Sequence, residues 1–70
     1  MIRRFLLNRT EDETGISGVG YVAEGVRFSD GTCVLRWRAP WPSTVIRNSI
    51  KDIEAVHGHG GSTKIEWIDE

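Results

Sequence analysis

The chain has 70 residues, and three of its stretches carry side chains that could do chemistry. In the first, His57-Gly58-His59-Gly60-Gly61, two imidazoles stand two residues apart among glycines that permit close backbone approach to a ligand. A phosphate cradle fits poorly, because anions favour helix N-termini, and this run follows a stretch that reads as the end of a helix. The negative pole there would favour a protonated His57 instead. A metal site would need further ligands. The acids Glu11, Asp12 and Glu13 lack the spacing of a calcium loop, and the lone Cys33 makes no zinc pattern, so neither metal nor cofactor is expected. A histidine-lined contact with a ligand or subunit, and a plain helix-terminating turn, are the readings that remain.

The second stretch pairs Arg36 and Arg38, two residues apart, with Trp41 between Pro40 and Pro42. Alternation puts both guanidinium groups on one face of a strand, and the prolines hold the tryptophan on a stiff extended connection. Arginine and tryptophan side by side suit charge pairing and stacking, so Arg36, Arg38 and Trp41, with His57 and His59, are the expected ligand contacts. The third candidate is Glu24, a carboxylate within an otherwise apolar run. It points either into the core opposite Trp37, where it would need donors, or outward if Gly25 makes a β-bulge.

No catalytic constellation accompanies these residues. Each serine has a place in a turn, strand end or cap, and no nucleophile elbow, P-loop or H-E-x-x-H spacing occurs, so the chain is expected not to be an enzyme. Nine basic and ten acidic residues give a net charge of −1. That balance disfavours general nucleic-acid binding, leaving single-stranded binding on the Arg36/Arg38 face as a third-ranked reading. No apolar run is long enough to span a bilayer and no signal-peptide core follows the first residues, so a cytoplasmic protein is expected. A single domain over residues 1–70 cannot draw on an internal disulfide with one cysteine, which makes self-association the expected source of added stability.

The elements that must position these residues centre on 19–38. Asp30-Gly31 between two β-rich runs predicts a hairpin with a two-residue type I′ turn. That turn pairs Phe28 with Cys33 and Val26 with Leu35 as one apolar patch, with Arg27 on the other face. A loop one residue longer would set Phe28 and Val26 opposite Thr32 and Val34, and would move Cys33 and Leu35 to the side of Arg27. The shorter turn is the expectation, since it gathers the hairpin's own apolar residues. Ile2 to Arg9 reads as the first strand, Thr10 to Gly18 as a loop and Thr44 to Arg47 as the fourth strand. Ser49 caps a helix over Ile50 to His57, and Ser62 to Asp69 alternates as the last strand. The order β-β-β-β-α-β makes the chain mainly β with one short helix. It suits a small bent antiparallel sheet or a partly open SH3- or Sm-like barrel, or else an open sheet completed by dimerisation.

Val22-Ala23-Glu24-Gly25-Val26, Phe28, Asp30-Gly31, Leu35-Arg36-Trp37 and Val56-His57-Gly58-His59, with Gly61, Thr63, Ile65, Trp67 and Asp69, resemble a group of short bacterial and phage proteins. The resemblance covers nearly the whole chain and implies a free-standing accessory protein, with no activity attached to it. The function expected is that of a small binding protein, homo-oligomeric, holding a small anionic or nucleotide-like ligand. The alternative is an assembly subunit that binds a partner chain through Trp41 and an edge strand.

Overall fold

The structure is a computed structural model that describes residues 1–10, 19–38, 41–57 and 63–69. Five strands, β1 (Arg3–Arg9), β2 (Gly20–Arg27), β3 (Cys33–Trp37), β4 (Ser43–Arg47) and β5 (Thr63–Trp67), form one antiparallel sheet with helix α1 (Ile50–His57) between the last two. The spatial order is β4-β3-β2-β1-β5, so β4 and β5 are edges and the sheet stays open instead of closing into a barrel. Helix α1 starts where Ser49 Oγ accepts the Asp52 N–H at 3.2 Å, which satisfies one of the donors a first helical turn leaves free. Eight residues make a rod of about 12 Å. It lies over one sheet face, touches both edge strands and inserts Ile53 into the core.

That covered face carries Phe5 and Leu7 of β1, Ala23 of β2, and Cys33 and Leu35 of β3, all buried, with Trp37, Val45, Ile50 and Ile65 around them. Trp67 closes one side, its ring 5.4 Å from that of Phe5 at 64°. The alternation read from the sequence holds in β3 and β5. Cys33, Leu35 and Trp37 share the covered face, as do Thr63, Ile65 and Trp67.

The β2–β3 hairpin departs from expectation by one residue. Arg27 pairs with Cys33, Val26 with Val34, Gly25 with Leu35, Glu24 with Arg36 and Ala23 with Trp37. The loop is Ser29-Asp30-Gly31. Gly31 N–H donates to Phe28 O at 3.0 Å and Phe28 N–H to Thr32 O at 2.8 Å, with Gly31 at φ +96°. This is a type I turn followed by a left-handed glycine, the three-residue hairpin loop. Asp30 strengthens it by accepting the Thr32 N–H at 2.9 Å. The expected Phe28/Cys33 and Val26/Leu35 patch therefore does not exist. Phe28 is 40% exposed, and Val26 lies on the uncovered face.

The neighbouring strand supplies the physical reason. Phe5 pairs with Gly25, and a Cβ on Gly25 would come within 2.7 Å of Phe5 Cε2. Only the observed register brings a side-chain-free residue under that ring while Leu35 packs beside it. Gly25 therefore makes room for a ring and does not form a bulge. The irregularity falls instead between Leu7 and Asn8, which pair with Ala23 and Tyr21, and both Val22 and Ala23 are buried there. Glu24 points outward and is exposed, opposite Arg36 and not Trp37.

Candidate anion-binding site

The corrected register gathers cations at one end of the covered face. Arg3 pairs with Arg27, Arg27 with Cys33 and Cys33 with Arg47, a row across β1 to β4 that holds three arginines around one buried thiol. Like charges directly opposite in a sheet cost stability; among the described residues none of the three makes an ion pair, the one present being Arg4–Asp69, and the charges of Asp30 near Arg27 and Asp69 near Arg3 offset them only in part. The three guanidinium groups are not equivalent. Arg3 stacks over Trp67 at 4.0 Å and its Nε donates to Asp69 O at 3.3 Å. Arg27 and Arg47 are half-buried and, among the described residues, donate no side-chain hydrogen bond. The Nε of Arg47 is fully buried with no hydrogen-bond partner among the described residues.

Local structure explains how they meet. The Arg27 guanidinium reaches back along the hairpin, its Nη2 lying 3.9 Å from where a Gly31 Cβ would stand, and Asn48 O lies equally near. Asn48 joins β4 to α1, so hairpin tip, Arg47 and helix start share one corner. Asp30, in the hairpin loop, is held below the usual carboxylate range, chiefly by the Thr32 N–H, with the Arg27 charge adding to it. Burial pushes the Cys33 thiol up, opposed by Arg27, so the cysteine serves as a buried neutral spacer and not as a thiolate nucleophile. Each guanidinium offers five N–H donors in a planar fork suited to phosphate or carboxylate.

The residues singled out from the sequence are dispersed. Arg36 lies on the uncovered face and donates to Thr44 Oγ1 at 3.0 Å, while Arg38, beyond β3, donates to Tyr21 O at 3.1 Å. Trp41 is 78% exposed next to edge strand β4. His59 and the side chain of His57 lie outside the described residues, as do Glu11, Asp12 and Glu13. Arg36 and Glu24 share one face, the Arg3–Arg27–Arg47 row the other. Sequence reasoning missed that row because its three members sit in three different strands, and Arg27 had been assigned to the opposite face. A buried Arg9, 4% exposed, was missed as well. Its Nε donates to Thr63 Oγ1 at 3.0 Å, and its guanidinium lies 5.7 Å from the Trp37 ring.

Among the described residues, no three His, Cys, Asp or Glu side chains are grouped to hold a metal ion, and no helix is long and apolar enough to cross a membrane. Neither curated proteins nor solved structures include a match to this chain. A family model described as Acb5 phage protein matches residues 2–69, and the chain belongs to that family.

Proposed function

We propose that this protein is a small non-enzymatic binding protein, and that it holds a small anionic, phosphate-bearing or nucleotide-like ligand between Arg27 and Arg47, with Arg3 as a flanking cation. One observation carries the reading: two half-buried guanidinium groups have no acceptor among the described residues, and one of their donors, Arg47 Nε, is orphaned. An unsatisfied buried donor costs about 1–3 kcal/mol, more for a charged group, and a bound anion would recover it. The overall charge of −1 does not oppose this, since a recessed pair of cations acts at a range shorter than the roughly 8 Å Debye length at physiological salt.

Calorimetric titration with inorganic pyrophosphate and with adenosine monophosphate tests the reading. Wild type is expected to bind at least one of them, more weakly as salt rises. Arg47→Ala is expected to weaken that binding about 10- to 100-fold, the equivalent of one lost charge-assisted contact. A wild type that takes up neither anion, or an Arg47→Ala variant that binds as wild type does, contradicts it.

The second reading, docking of a partner chain, draws on Trp41, which is 78% exposed beside β4, whose outer edge has no strand partner in the sheet. It predicts that Trp41→Ala loses a protein partner while anion binding stays intact.

A further inference from the structure

We infer that a second copy of this chain covers the open sheet face, as an isologous pair whose two-fold axis runs parallel to the strands between β2 and β3. On the face opposite α1, three adjoining strands carry apolar side chains in one row, Ile46 of β4, Val34 of β3 and Val26 of β2, and the row continues through Arg4 of β1 to Ile68 just past β5. Ile46 pairs with Val34 and Val34 with Val26. Val26 in turn pairs with Arg4, and the Ile68 N–H meets Arg4 O at 2.9 Å. Ile46 is 69% exposed and Ile68 50%, and among the described residues no element packs on them. A hollow of about 330 Å³ opens in this face between Arg4, Glu24, Val26, Val34, Arg36 and Ile68. Antiparallel sheets can leave one face to water, but Ile46, Val34 and Val26 adjoin one another on three neighbouring strands of this one.

The adjoining row decides which partner fits. It runs Thr44, Arg36, Glu24, Leu6, Glu66 from β4 to β5. Arg36 and Glu24 are cross-strand neighbours of opposite charge, yet the ion pair among the described residues is Arg4–Asp69. Packing two copies face to face about an axis between β2 and β3 exchanges those strands. Each Arg36 then lies over the partner's Glu24, twice, and each Val34 over the partner's Val26, twice. An in-plane axis perpendicular to the strands would instead set each strand against itself and bring Arg36 over Arg36 or Val34. The Glu24/Arg36 charges and the Val26/Val34 pair are thus self-complementary in this orientation, with each Ile46 over the aliphatic stem of the partner's Arg4, and this selects a second copy as the occupant. The Arg3–Arg27–Arg47 row lies on the opposite face, so this inference stands independently of the proposed ligand.

Sedimentation equilibrium with charge-exchange variants is the test. Wild type is expected to be dimeric at tens of micromolar. Glu24→Arg and Arg36→Glu should each weaken association at least about tenfold by setting like charges face to face, and the doubly exchanged chain should regain the dimer. The neutral variants Glu24→Gln and Arg36→Gln place no like charges in contact and should weaken it in the same direction, so the test does not hang on reversed charges being tolerated. A monomeric wild type, a dimer indifferent to both single exchanges, or a double exchange that stays monomeric would each overturn the inference. A dimer that resists these variants but is lost on Trp41→Ala would overturn it in favour of contact at the β4 edge.

Discussion

At the scale of single residues, the fold turns on what Gly25 lacks and on what Arg47 does not touch. A methyl group on Gly25 would meet the Phe5 ring well inside contact distance, and both belong to the centre of the sheet. Gly25→Ala is therefore expected to destabilise by about 1–3 kcal/mol, the usual range for overpacking, as read by urea denaturation. Arg47 acts in the opposite sense. Replacing it by methionine removes an unsatisfied buried donor while keeping an unbranched apolar stem, so thermal stability without ligand should rise or hold while anion binding weakens about as much as in Arg47→Ala. A purely structural arginine would show the reverse, with stability falling.

A third residue-scale expectation concerns acid. Asp69 is held at about 2, mainly by hydrogen bonds from the Arg4 side chain and backbone, against an ordinary value of 3.8. Because the folded-state value is the lower one, the stability it contributes is present above the unfolded value and is lost as pH falls from there through about 2. Melting curves of wild type and Asp69→Asn should therefore differ most near neutral pH and converge across that window. A gap independent of pH would contradict the assignment.

At the scale of elements, the helix and the final strand were legible because each rests on local signals. Ser49 as cap and the apolar positions Ile50 and Ile53 marked the helix at the bounds observed, and period-two alternation oriented β3 and β5. Ser49→Ala should cost about 1 kcal/mol, measurable in the same denaturation assay. The hairpin register was not legible, because Asp-Gly serves two loop lengths equally well. In the shorter loop both residues need positive φ. In the observed one only Gly31 does, and Asp30 accepts the Thr32 N–H instead. What separates the two is a non-local contact, the Phe5 ring over Gly25, which no window within the hairpin contains. That single shift carried Arg27 to the covered face and Glu24 to the open one, and the candidate site changed with it.

At the scale of the whole molecule, one sheet with one short helix makes two layers, and the two sheet faces carry different side chains. The covered face builds the core and, at its hairpin end, lines up Arg3, Arg27 and Arg47. The open face carries Val26, Val34, Ile46 and Ile68, on which no element packs among the described residues. Strand order was not readable from the sequence either: β5 joins β1 across the sheet from β4, and α1 contacts both of these edge strands. The division of faces makes the central claim open to direct observation. Arginine Nε–Hε resonances followed by nuclear magnetic resonance, while inorganic pyrophosphate is added, report on both faces at once. Binding between Arg27 and Arg47 should shift those two signals, together with the amides of Gly31, Cys33 and Asn48, and leave Arg36 and Arg38 unmoved. Shifts confined to Arg36, Arg38 and Trp41, or none at saturating anion, would contradict the site proposed for this protein.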